Sequence, residues 1–63
     1  MTVSKHQVFT EMVTGDHGKF AENLAKAWFV ADSANRDTIE HSWPWLIWKA
    51  QRVVQIREVQ NAD

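Results

Sequence analysis

The 63-residue chain has no cysteine, a single proline, two glycines and no long apolar run. Each shortage removes a class of protein. Without cysteine there is neither a disulfide framework nor a thiolate metal site. The composition is compatible with a reducing cytoplasm. Apolar runs extend over only a few residues, far short of the roughly 20 that cross a bilayer. Met1 to Lys5 leads into mixed polar sequence, so no signal peptide is expected. Net charge is small as well: seven basic and eight acidic residues give −1. A nucleic-acid binder of this size is more often clearly basic. No repeat, low-complexity tract or linker interrupts the chain, so one domain over residues 1–63 is expected.

Tryptophan is what the chain has in excess. Three of its four tryptophans fall in Trp43-Pro44-Trp45-Leu46-Ile47-Trp48, and this stretch reads as the centre of its organisation. A chain so short buries only about 60% of the surface its unfolded form exposes. With disulfides excluded, self-association or a partner is the remaining way to reinforce so thin a core.

Helix signals account for nearly the whole length. Ser4 followed by Gln7 matches a capping box, and Val3 and Val8 occupy the two staple positions around it. Val8, Phe9, Met12 and Val13 follow at helical spacing, and Gly15, free to take positive φ, is a natural stop. These predict a first helix over 5–13. Asp16 is the expected N-cap of a second helix over 17–32, with Gly18 in its first turn. Phe20, Leu24, Ala27, Trp28 and Ala31 form its apolar stripe, and Glu22 and Lys26 pair on the other side. Ser33 to Asn35 reads as an end and restart, followed by a short connecting helix over 35–41 anchored by Ile39. Pro44 disfavours helix at Trp43 but suits a first helical position, so the last helix is expected over 44–59, with 61–63 frayed. The fold class is all-α: a small bundle of three main helices plus one short connecting helix.

At roughly 100° per residue the last helix has two apolar faces. Leu46, Ile47, Ala50, Val53 and Val54, led by Trp43, make one broad face suited to the core. Trp45, Trp48, Ile56 and Val59, with Arg52 among them, make a second stripe. Gln51, Gln55 and Glu58 are expected on the wet side. Two readings of the second stripe stay open. Short helices cover it as core, or it is an exposed protein-binding surface for a second copy, giving a homodimer, or for a foreign protein.

Sharper chemistry finds little support. His6, His17 and His41 form no H-x-x-x-H pair, and Asp37 with His41 supplies two ligands where a structural zinc takes four, so surface or capping histidines are expected and no metal. Ser4, Ser33 and Ser42 are explained by helix starts and a chain reversal. The carboxylates give no paired site, so no enzyme and no cofactor are expected. The alternative function is a small DNA-binding regulator of helix-turn-helix type, using Lys49, Arg52 and Arg57 against phosphates. An interfacial membrane helix is disfavoured because the cations are few and balanced by acids.

The segment Ala27-Trp28-Phe29-Val30-Ala31-Asp32-Ser33-Ala34-Asn35-Arg36, then Ile39-Glu40 and Trp43-Pro44, resembles short uncharacterised helical proteins of phages and prophages. The likeness lies in an alanine-rich helix ending in an A-D-S-x-N turn, a short helix with one aliphatic anchor, and an aromatic–proline step. It covers under a third of the chain. Trp43 stands where phenylalanine is expected, and the Trp-rich continuation departs from the pattern. The resemblance implies a mobile-element protein acting in a bacterial cytoplasm, and small proteins of that kind commonly act by binding a host factor and so inhibiting or redirecting it.

Overall fold

The computed structural model describes residues 3–61; of the end expected to fray, Ala62 and Asp63 lie outside the described residues. The described residues form four α-helices: α1 (Lys5–Thr14), α2 (Lys19–Val30), α3 (Ser33–Ser42) and α4 (Pro44–Asn61). Among the described residues there is no strand, and the fold class is all-α.

α1 starts as its sequence dictates. The Gln7 amide donates to Ser4 Oγ at 3.2 Å and the Ser4 amide donates to Gln7 Oε1 at 2.8 Å, so two orphan N–H groups are satisfied reciprocally. Its end differs from expectation. Gly15 is extended (φ −90°, ψ −178°) rather than left-handed, and its N–H bonds Glu11 O at 2.7 Å. Glycine is needed there for space: a Cβ would collide with the Glu11 carboxylate and come within 2.8 Å of the Glu11 carbonyl oxygen.

Positive φ belongs instead to Gly18 (φ 90°, ψ 161°), which is the N-cap of α2. Asp16 therefore does not cap α2, and residues 15–18 form the connection. This conformation is open essentially to glycine alone. Gly18→Ala should accordingly destabilise by about 1–3 kcal/mol although no atom would touch the new methyl, a loss that urea unfolding would register.

At the other end α2 stops at Val30, and Asp32, expected inside it, caps α3 by accepting the Asn35 amide at 2.9 Å. Arg36 satisfies the terminal carbonyls of α2, donating from Nε to Trp28 O (2.9 Å) and from Nη2 to Phe29 O (3.2 Å). The third helix starts earlier than expected and, at ten residues, equals α1, so it is not a short connector. Its exposed Thr38 and Ser42 hydroxyls donate back to its own carbonyls at Ala34 and Thr38. Pro44 restarts the chain as its geometry requires, with the Trp43 carbonyl accepting the Ile47 amide at 3.2 Å.

Packing centres on α1 rather than on the tryptophan-rich stretch: α1 lies against both α2 and α4, and α3 bridges α2 and α4 less extensively. Val8, Phe9 and Met12 of α1 meet Ala21, Ala25 and Trp28 of α2 and Ala50 of α4, with Val54 also buried. The alanines of α2 let α1 approach closely, and Trp28 supplies the volume. Its ring stacks on Phe9 (centroids 4.2 Å apart, 2° between planes), the Arg36 guanidinium lies 4.3 Å from its centroid, and its Nε1–H donates to Glu40 at 2.8 Å. The stripe expected on α2 is thus rotated. Ala21 and Ala25, expected to flank it, are central; Leu24 is half-buried at the margin; Phe20 and Ala27 are exposed.

Candidate functional site

One face of α4 enters the core, with Ala50 and Val54 buried and Leu46, Ile47 and Val53 half-buried. Almost directly opposite on the helical wheel stand Trp45, Trp48, Arg52, Ile56 and Val59. Their apolar members are 69% (Trp45), 47% (Trp48), 50% (Ile56) and 74% (Val59) exposed. No short helix covers them among the described residues. The Trp45 and Trp48 rings stack with centroids 5.2 Å apart and 22° between planes, and the Arg52 guanidinium lies 5.4 Å from the Trp48 ring centroid. Ile56 and Val59 line a shallow depression with Gln55 and Gln60. The five residues form a strip about 21 Å long at 1.5 Å per residue.

Two further aromatics are exposed that were expected inside. Trp43 does not close the core beside Leu46 and Ile47. It meets Phe20 edge-on, centroids 5.6 Å apart, at the surface. The wet side of α4 is also smaller than expected. Gln55 is exposed, but Gln51 and Glu58 are half-buried, and Glu58 accepts a 2.8 Å hydrogen bond from Gln7.

The three cations proposed to meet phosphates do not share a face. Arg57, although exposed, reaches toward α1 and donates to Glu11 Oε1 at 2.7 Å, on a different side of α4 from Lys49 and Arg52. Glu11 is the one buried charged residue among those described. Its second oxygen is 2.7 Å from His17 Nε2, so His17 is a nearly buried bracing residue and not the surface or capping histidine expected. Burial pushes the Glu11 carboxyl up, but the hydrogen bonds and charges of His17 and Arg57 outweigh it and hold the group below its ordinary range. Glu11 forms the floor of an open groove of about 560 Å³ between α1 and α4, with His6, Gln7, Thr10, Thr14 and Glu58 around it. Because both of its oxygens are engaged inside the fold, this group braces α1, the 15–18 connection and α4 together. A similar brace joins α1, α2 and α3. Lys5 Nζ lies 2.8 Å from Glu40, which also accepts from Trp28; the Lys5 hydrogen bond holds Glu40 below its ordinary range against partial burial.

His6 is exposed with its ring near Trp28 and Phe29, and exposed His41 contacts the Asp37 carbonyl at 2.8 Å. Among the described residues no group of three or more His, Cys, Asp or Glu is placed to hold a metal, and no helix is long and apolar enough to cross a membrane. No protein-family model, curated protein or solved structure matches the chain.

Proposed function

We propose that this chain is a small helical bundle that acts by protein–protein binding through the Trp45, Trp48, Arg52, Ile56 and Val59 strip. The setting we propose is a phage or other mobile element, where the chain engages a bacterial host factor in the cytoplasm and so inhibits or redirects it. The observation that carries the binding reading is the exposure of four large apolar side chains, in line, on the side of α4 away from the core.

Fully burying one such side chain contributes about 1.5–3 kcal/mol, and 47% to 74% of each residue's surface remains to be buried here. The strip therefore offers several kcal/mol toward association, against which the costs of association must be set, so the contact is weak and reversible. The DNA-binding alternative is weaker, because Arg57, though exposed, has its charge paired with Glu11 on a different side of α4 from Lys49 and Arg52.

The test is Trp48→Ala combined with Ile56→Ala. Helicity and thermal midpoint should stay near those of the parent chain, while association, with itself or with a captured host protein, should weaken at least about tenfold. Unfolding of the double variant would make the strip core and remove the reading.

A further inference from the structure

We infer that the strip's occupant is a second copy of this chain, docked antiparallel with its two-fold axis at Arg52. This inference rests on the protein-binding reading above and adds the partner's identity and register. The strip residues step along α4 by three, four, four and three positions, so the pattern reads the same in both directions about Arg52. In an antiparallel pair Trp45 lies level with Val59 of the other copy, Trp48 with Ile56, and Arg52 with its own mate. The two large rings at the N-terminal end of α4 thus meet the two smaller aliphatic groups at its C-terminal end. A parallel pair would instead set tryptophan against tryptophan at one end and leave the aliphatic groups thinly packed at the other.

Arg52 at the axis looks like an obstacle, since two positive charges would share one level. The structure removes the obstacle for one orientation only. The Arg52 guanidinium leans over Trp48, one turn toward the N-terminus, as helical side chains do. In antiparallel copies this lean runs in opposite directions, so the charges separate by about 12 Å along the axis, beyond the screening length of about 8 Å at physiological salt. In parallel copies they lean together and stay abreast.

The area is adequate for a reversible dimer. At roughly 150–250 Å² per large side chain, the exposed parts of Trp45, Trp48, Ile56 and Val59 come to about 400 Å², near a tenth of the chain's 4500 Å² surface. Two copies, with Lys49, Gln55 and Gln60 at the rim, reach about 1,000 Å², the lower bound for a specific interface.

The absence of cysteine makes the test clean. Arg52→Cys places one thiol at the proposed axis, where facing helices 8–10 Å apart bring the Cα atoms within disulfide range. Val59→Cys places its thiol about 21 Å along the axis from its own mate in the same dimer. Under a mild oxidant such as diamide at roughly 100 μM protein, Arg52→Cys should form the disulfide dimer at least about tenfold faster than Val59→Cys. Both variants should keep the parent circular dichroism, and sedimentation of the unaltered chain should show a concentration-dependent dimer. Equal cross-linking of the two thiols would overturn the antiparallel register. A chain that stays monomeric at millimolar concentration would overturn the second copy as occupant. If the Trp48→Ala, Ile56→Ala pair still abolished capture of a host protein by such a monomer, the protein-binding reading would stand. Strip-dependent binding of the monomer to anionic lipid vesicles, with no protein captured, would remove both.

Discussion

Trp28→Ala should leave the chain largely unfolded at 25 °C. The side chain is almost fully buried and makes four kinds of contact at once. It stacks on Phe9, carries the Arg36 guanidinium, donates to Glu40, and closes the space that Ala21 and Ala25 leave open. Truncating a buried aromatic to alanine costs about 3–5 kcal/mol. A 63-residue domain has on the order of 3–9 kcal/mol of stability in all. The substitution also leaves Glu40 without one donor and Arg36 without the ring it covers, so the loss should sit toward the upper end. Trp28→Phe separates these contributions: it keeps a ring for Phe9 and Arg36, loses the indole N–H, and should cost about 1–3 kcal/mol. Urea unfolding followed by far-ultraviolet circular dichroism measures both without interference from the other tryptophans. A Trp28→Ala chain within about 1 kcal/mol of the parent would show that this residue is not the centre of the core.

The elements that could be read from sequence alone were those decided locally. Ser4 and Gln7 cap α1 three residues apart, and Pro44 restarts the helix by its own ring geometry, so neither needed information from elsewhere in the chain. The two faces of α4 were also separable by periodicity, because Ala50 and Val54 lie opposite Trp45, Trp48 and Ile56. Which face remains outside depends on what the other helices cover, and that is a property of the packing.

The misplacements have the same origin. Phe20 and Leu24 outrank Ala21 and Ala25 in hydrophobicity, so a stripe drawn by hydrophobicity rotates α2 toward them. The real contact is chosen by how closely α1 can approach, and alanine wins that contest. Asp16 and Asp32 are equally good caps in isolation. Gly18 takes the positive φ that ends one connection and stands at the N-cap itself, leaving Asp16 outside, while Asp32 directly precedes Ser33 and accepts the Asn35 amide. The Glu11, His17 and Arg57 cluster could not be assembled from sequence, since 46 positions separate the glutamate from the arginine. A lone glutamate between Val8, Phe9 and Met12 on an apolar stripe was the only hint.

That cluster gives the second large effect, and it has a sign that pH can read. In the parent chain the Glu11 carboxyl is held below its ordinary value of 4.5 when folded. A carboxyl depressed by folding adds stability that is fully present above the unfolded value and is lost as pH falls through the folded one. The parent should therefore lose stability on acidification below about pH 4.5, with Glu40 and Glu22, also depressed, contributing in the same direction. Replacing His17 by leucine and Arg57 by methionine removes both partners and leaves burial, the largest single influence on Glu11, unopposed. An unpaired charge left in the interior costs about 3–5 kcal/mol at neutral pH. The Glu11 contribution then changes sign: with its folded value raised above the unfolded one, it favours the fold at low pH and turns against it as pH rises. The double variant should thus be least stable relative to the parent near pH 7 and should close part of the gap near pH 4. Adding Glu11→Leu should restore stability to near the parent value at pH 7, because an apolar trio of similar volume needs no compensation for buried charge. Chemical denaturation of the three proteins at pH 4, 5.5 and 7 measures all of this. A double variant whose deficit stays constant across that range would mean that Glu11 is solvated in the fold and braces nothing.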